Sequence, residues 1–212
     1  MKKVVLIGDS IRMGYDKYIK ASLEGEAEVF YPAENCRFSQ YVLRYIHEWI
    51  DACGGEPDCI HWNAGLWDCL RLFEDEPATP LAVYQQYIER ICVRIRKMAP
   101  NAKVIFATST PIREEAYLQP ERAMRFNREI EAYNAVAVEI VKRHGFAVND
   151  LYSRMKDVPV SWYSDKTHFY TKEATAWITG QVLQTIEAAI GIHGTELDYD
   201  ALFAAPKEIS GF

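Results

Sequence analysis

No long basic run occurs anywhere in this chain, and its formal charge is −6 with a pI near 5.4. That argues against nucleic acid or an anionic membrane as a main partner, since both need a positive field. No apolar run approaches the roughly 20 residues of a membrane span. Met1-Lys2-Lys3 leads straight into an apolar stretch too short for a signal-peptide core, so none is expected. The five cysteines (Cys36, Cys53, Cys59, Cys69, Cys92) are odd in number and contain no Cys-x-x-Cys, and the five histidines show no His-Glu-x-x-His spacing. A disulfide framework and a zinc site are therefore not expected, and no cofactor is expected. Reduced, structural thiols fit a cytoplasmic compartment. There is no internal repeat, no low-complexity segment and no linker that would split the chain.

What is present is a 212-residue sequence with 49% hydrophobic residues, enough for one domain with a substantial core. Short β-rich runs alternate with longer helical patterns. Strands are expected at Lys3–Ile7, Ala27–Tyr31, Cys59–Trp62, Lys103–Thr108 and Phe146–Val148. Several are almost continuously apolar, as strands covered on both faces should be. Helices are expected near 11–24, 39–53, 80–99, 121–144 and 171–190. Thr79-Pro80 reads as a cap followed by a first-turn proline, His144-Gly145 as a glycine stop, and Thr171-x-x-Ala174 as the opening of the last helix. The alternation implies a parallel sheet with helices on both faces. Residues 1–190 then form the domain, and 191–212, without clear periodicity, a C-terminal extension packed on the surface or partly disordered.

Ligands in such folds lie outside the carboxyl ends of the strands. Four segments with chemistry fall on that edge. The first strand ends in "VVLIGDSIRMGY" (4–15), the third in "HWNAGLWD" (61–68), the fourth in "TSTPI" (108–112), and "SWYSDKTHF" (161–169) precedes the last helix. Ser10 or Asp9 alone could simply cap a helix. A serine hydroxyl becomes a nucleophile when a base takes its proton and an orienter holds the base. Ser10 as nucleophile, His168 as base, Asp165 as orienter and Asn63 as oxyanion donor would supply every part. Asn63 could equally be a turn residue ending its strand. Trp67 and Trp162 are candidates to line a pocket, and Arg12, close to Ser10, to contact substrate.

These blocks, in this order and at these strand ends, resemble the SGNH (GDSL-type) hydrolases, a family of esterases and lipases. "IGDS" matches the family's nucleophile block and "SDKTHF" its Asp-x-x-His block, and the likeness covers residues 3 to 190. The resemblance implies a three-layer α/β/α sandwich with a flavodoxin-like, five-stranded parallel sheet. It also implies carboxylic ester hydrolysis through a Ser10–His168–Asp165 triad. Two departures stand out. In the family's third block, usually Gly-x-Asn-Asp, Trp67 occupies the asparagine's place, which leaves Asn63 as the substitute donor. The second block, "AENCRFS" (33–39), has no glycine, so its oxyanion N–H would come from Cys36 or Arg37, beside that of Ser10.

The favoured substrate is a short-chain ester, such as an O-acetyl group on a carbohydrate, because the motifs are flanked by aromatics and arginines rather than by a long aliphatic lining. Lipase or thioesterase activity on the same fold is the alternative. Beyond enzymes stand a flavodoxin-like module holding FMN or phosphate, and a non-catalytic glycan-binding relative. The oligomeric state is left open.

Overall fold

In the structure, a computed structural model, residues 1–118 and 121–204 are described. In chain order it comprises β1 (Lys2–Ile7), α1 (Ser10–Met13), α2 (Asp16–Ser22), β2 (Ala27–Phe30), α3 (Ser39–Asp51), β3 (Cys59–Trp62), β4 (Arg71–Leu72) and α4 (Leu81–Met98). There follow β5 (Lys103–Ala107), β6 (Ala123–Met124), α5 (Asn127–Arg143), β7 (Ala147–Asn149), α6 (Leu151–Met155), α7 (Lys172–Ile190) and α8 (Tyr199–Ala204). Single 3₁₀ turns lie at Glu114–Ala116 and Val160–Trp162.

The main sheet is parallel with strand order β2-β1-β3-β5-β7. Its central strands are buried on both faces: Val4 to Ile7, Cys59 to Trp62 and Val104 to Ala107 all lie in the core. Continuous apolar runs are therefore what these positions require. α3, α4 and α5 pack side by side over one face, while α7, with α2 against it, covers the other. This is the expected three-layer α/β/α sandwich. Ile7 pairs with Trp62 and Trp62 with Phe106, so the segments after these strands emerge together on one edge. Gly8-Asp9-Ser10, Asn63 and Thr108-Ser109 all start there. Among the described residues no helix is long and apolar enough to cross a membrane.

Several boundaries differ from the sequence reading, each for a local reason. The expected helix 11–24 is two helices: the Gly14 N–H turns to Ile11 O and α2 restarts at Asp16. The expected helix 121–144 begins only at Asn127. Ala123–Met124 instead pairs antiparallel with Arg71–Leu72 in a small second sheet. Arg71 ties that sheet to α5 by gripping the Glu129 carboxylate through Nε (3.1 Å) and Nη2 (2.6 Å). Pro80, with ψ 141, is the cap of α4 rather than its first helical residue. Thr171 does cap α7, accepting from the Ala174 N–H, and Gly191 ends it in the left-handed region at φ 67.

Residues 191–204 lie back on the domain. Ser22 and Thr195 exchange hydrogen bonds of 2.7 Å, and Tyr18 packs against Tyr199 and Phe203 of α8, a helix the sequence reading did not anticipate. The remainder of the expected extension, 205–212, lies outside the described residues. All five cysteines are buried and unpaired, and burial pushes the Cys36 thiol up to about 11.

Candidate active site

Ser10 is the first residue of α1, placed where β1 reaches the sheet edge. The cap of that helix is Asp9, whose Oδ1 accepts the Ile11 N–H at 2.9 Å. With the cap supplied by its neighbour, the Ser10 hydroxyl is available elsewhere. It lies 2.8 Å from His168 Nε2. The other imidazole nitrogen, Nδ1, is 2.7 Å from Asp165 Oδ2. A carboxylate only accepts, so Nδ1 carries the proton and Nε2 presents a lone pair to the serine O–H.

The loop before α7 builds this arrangement locally. Asp165 Oδ1 accepts the backbone N–H groups of Thr167 (2.7 Å) and His168 (2.8 Å). The Ser164 N–H donates to the His168 carbonyl at 2.8 Å and closes the loop. Partial burial alone would raise the Asp165 carboxyl. The two backbone N–H groups and His168 outweigh it, and the net pKa is below the ordinary aspartate value. Asp165 is therefore ionised at neutral pH and can hold an imidazolium.

Asn63 follows β3 and is 5% exposed, its backbone N–H on Ile7 O at 3.0 Å. Its side chain lies over Gly8, where a Cβ would run into Oδ1. Gly8 is thus a glycine for space. Asp9 is fully buried. Burial raises its pKa, opposed by the Ile11 N–H, the Arg125 charge, the Asn63 amide and the His168 charge. The Asn63 amide and the Arg125 charge thus both favour the ionised form of Asp9 against its burial. Arg125 Nε also donates to Leu66 O.

Other sequence candidates sit differently. Arg12 does not face a substrate: it is 1% exposed, paired with Asp16, and it donates to the carbonyls of Pro32 (2.9 Å), Glu34 (2.6 Å) and Gly8 (3.4 Å). It ties the loop after β2 to the loop after β1. The two second-block N–H groups are engaged as well. That of Cys36 donates to Gly8 O (3.1 Å) and that of Arg37 to Asn35 Oδ1 (2.8 Å). Neither is free to meet an oxyanion, and Arg37 holds φ 51 in the left-handed region to make its turn. Trp67 is half-buried in the turn after β3. Trp162 is half-buried on the 3₁₀ turn before Asp165 and packs on Trp177 of α7, ring centroids 6.2 Å apart.

Two residues escaped the sequence reading. Tyr170 donates to the Ser10 carbonyl at 2.6 Å and stacks on His168. Asp68, fully buried, accepts the Ser39 N–H (2.9 Å) and hydroxyl, pinning the start of α3 to the turn after β3. Burial pushes Asp68 up to about 6 against the Ser39 bonds that lower it. Among the described residues no three His, Cys, Asp or Glu side chains converge as a metal site would need.

A model of the GDSL-like lipase/acylhydrolase family matches residues 6–172. The chain belongs to that family and is an ester hydrolase. Among curated proteins none matches it. Solved structures similar to it include a lipase/acylhydrolase from Enterococcus faecalis, at 21% identity and TM-score 0.70 over 89% of this chain and 96% of that one. An acetyl xylan esterase aligns at 15% identity and TM-score 0.66, covering 87% and 99% of the two chains. A variant of an acetyl-xylooligosaccharide esterase from Geobacillus aligns at 16% identity and TM-score 0.66, covering 93% and 97%. At such identities the likeness is one of fold.

Proposed function

We propose that the protein is a serine esterase that hydrolyses short-chain esters, with O-acetylated carbohydrate as the preferred class. The observation that carries this reading is the continuous hydrogen-bonded path from Ser10 Oγ through His168 to Asp165, with links of 2.8 and 2.7 Å. Ser10 Oγ attacks the ester carbonyl carbon as its proton passes to His168 Nε2, and the carbonyl π pair moves onto oxygen. In this reading the oxyanion takes hydrogen bonds from the Ser10 N–H and the Asn63 amide as its charge develops. On collapse the alkoxy group leaves with the proton from Nε2, and an acyl-serine remains. Water then adds to the acyl carbon, giving a proton to Nε2. The second collapse expels Ser10 Oγ, which recovers that proton, and the carboxylic acid departs. Asp165 stays ionised and keeps Nδ1 protonated throughout.

Support for a short acyl group and a sugar alcohol is chemical. Tyr170, against Ser10 and His168, brings an aromatic ring to the site, and aromatic faces suit sugar rings; two structures of similar fold bear the names of acetyl-carbohydrate esterases. Fold analogy leaves the substrate to experiment. The test is fluorophosphonate labelling of wild type and Ser10→Ala, then kcat/KM on p-nitrophenyl esters of increasing chain length, then acetate release from acetylated xylooligosaccharides. Ser10-dependent labelling, an optimum at acetate or butyrate and acetate release are expected. Absent labelling would point to a binding role. An optimum at octanoate or longer would overturn the short-acyl reading, and acetate-ester cleavage without release from saccharides would remove the sugar.

A further inference from the structure

Gly14 has no conformational reason to be a glycine. Its φ is −71 and its ψ −23, an ordinary helical geometry that any residue adopts. Glycine in a helical position is the less stable choice, so something must exclude a side chain. A Cβ at position 14 would lie 2.8 Å from Tyr170 Cε1 and 3.0 Å from its Cδ1. The space is taken by the Tyr170 ring. Gly14 also fails to complete the helical ladder, since its N–H goes to Ile11 O and leaves the Ser10 carbonyl without that amide. Tyr170 fills the gap: its hydroxyl donates to Ser10 O at 2.6 Å.

The same ring stacks on the base. The Tyr170 and His168 centroids are 4.9 Å apart with planes inclined by 23°. The Tyr170 backbone is held too, its N–H on Ser164 Oγ (3.3 Å), which in turn meets the His168 carbonyl at 3.0 Å. One side chain therefore touches the backbone of the nucleophile and the face of the base. Ser10 and His168 come from opposite ends of the chain, and their 2.8 Å contact depends on how well the two loops are fixed to each other.

We infer that Tyr170 is a positioning residue that braces Ser10 against His168, with Gly14 kept small to admit it. The inference rests on the serine-esterase reading for its catalytic consequence, though not for its geometry. Burial, helped by the Asp9 charge, pushes the phenol up to about 12, so it remains a hydrogen-bond donor across the working pH range. When the imidazole takes the serine proton, the tyrosine face also lies under the new positive charge, where a π-system is favourable.

The experiment uses Tyr170→Phe, Tyr170→Leu, Gly14→Ala, Tyr170→Ala and the Gly14→Ala/Tyr170→Ala double variant, with p-nitrophenyl acetate as substrate. Tyr170→Phe keeps the stack and loses only the tether. It should lower kcat roughly 5- to 20-fold with KM within about twofold, and Tyr170→Leu, losing both, should lower it roughly 100-fold. Gly14→Ala alone should be damaging, and should add little once Tyr170 is alanine, in kcat and in Tm alike. A Tyr170→Phe enzyme with wild-type kcat, or one that changes KM alone, overturns the brace. So does additivity of the two alanine substitutions in Tm, a readout that needs no activity. Failure of wild type to react with the fluorophosphonate overturns the esterase reading instead, and the Tm cycle still decides the geometry.

Discussion

Gly8→Ala is the smallest change that tests how Asn63 works. The added methyl would fall inside the van der Waals sphere of Asn63 Oδ1, 3.1 Å from Asn63 Cγ and 2.8 Å from Arg12 Cβ. It cannot be relieved on the Arg12 side. That side chain is buried and held by Asp16 and the Pro32 and Glu34 carbonyls. Backbone movement is blocked as well, because the Gly8 carbonyl accepts from the Cys36 N–H and the Asn63 N–H donates to the Ile7 carbonyl. The Asn63 amide must therefore swing away by roughly 1 Å or more, a displacement that costs about 100-fold where a reacting group is concerned. Loss of an oxyanion donor carries a similar penalty, about 10²- to 10³-fold in kcat or roughly 3–4 kcal/mol. The overpacked site should also lose about 1–3 kcal/mol of stability. The assay is a cycle of Gly8→Ala, Asn63→Ala and the double variant, read as kcat on p-nitrophenyl acetate and as urea midpoint. All three should show comparable loss of kcat with little change in KM. The double variant should recover stability relative to Gly8→Ala, because the atom it struck is gone. A Gly8→Ala enzyme with more than about a third of wild-type kcat, or a double variant whose kcat losses multiply, would refute the reasoning.

Ser10→Ala and His168→Ala should each lower kcat by roughly 10³-fold or more, and retention of over about a tenth of turnover by Ser10→Ala would be incompatible with a serine nucleophile. Trp67→Phe should change KM or the preference among acetylated substrates and leave kcat on p-nitrophenyl acetate nearly intact; a loss like that of Asn63→Ala would return the oxyanion donor to position 67. Asp68 binds its proton more readily folded, at about 6 against the ordinary 3.8, so its contribution to stability falls as pH rises from about 4 to about 6, by on the order of 3 kcal/mol. Asp68→Asn should therefore flatten that slope in urea melts, gaining on wild type towards pH 7 and converging with it below pH 4; parallel curves would mean that Asp68 does not titrate in this range.

The fold was legible because its information is local and redundant. Val4 to Ile7, Cys59 to Trp62 and Val104 to Ala107 are buried on both faces and, His61 apart, apolar, and only strands between two helical layers tolerate that. Where a boundary was missed, a distant partner decided it. Residues 121–126 carry a helix-compatible pattern, yet the pairing of Met124 with Arg71 and the grip of Arg71 on Glu129 hold Ala123–Met124 as a strand. Nothing within a window around residue 124 records that Arg71 is there. Arg12 was misjudged in the same way. Two residues from Ser10 it looks free to meet a substrate, but the carbonyls of Pro32 and Glu34 that bury it belong to the loop after the next strand.

The site divides along the same line. Ser10, Asp165 and His168 stood out because a candidate nucleophile, base and orienting carboxylate are rare as a set, and Asp165 and His168 organise their own loop across three residues. What surrounds them is written in the chain mainly as absence. In "GDSIRMGY" the two glycines look like turn signals, and on φ alone neither has the left-handed geometry that would explain it. Each is explained by a side chain far away in sequence, Gly8 by Asn63 and Gly14 by Tyr170. A glycine without a backbone reason is thus a mark left by a partner that must come close, and here the two partners are the proposed oxyanion donor and the inferred brace. Both glycines flank Ser10, so the stretch from Gly8 to Gly14 specifies more than the candidate nucleophile. It specifies the two vacancies through which the rest of the site reaches it.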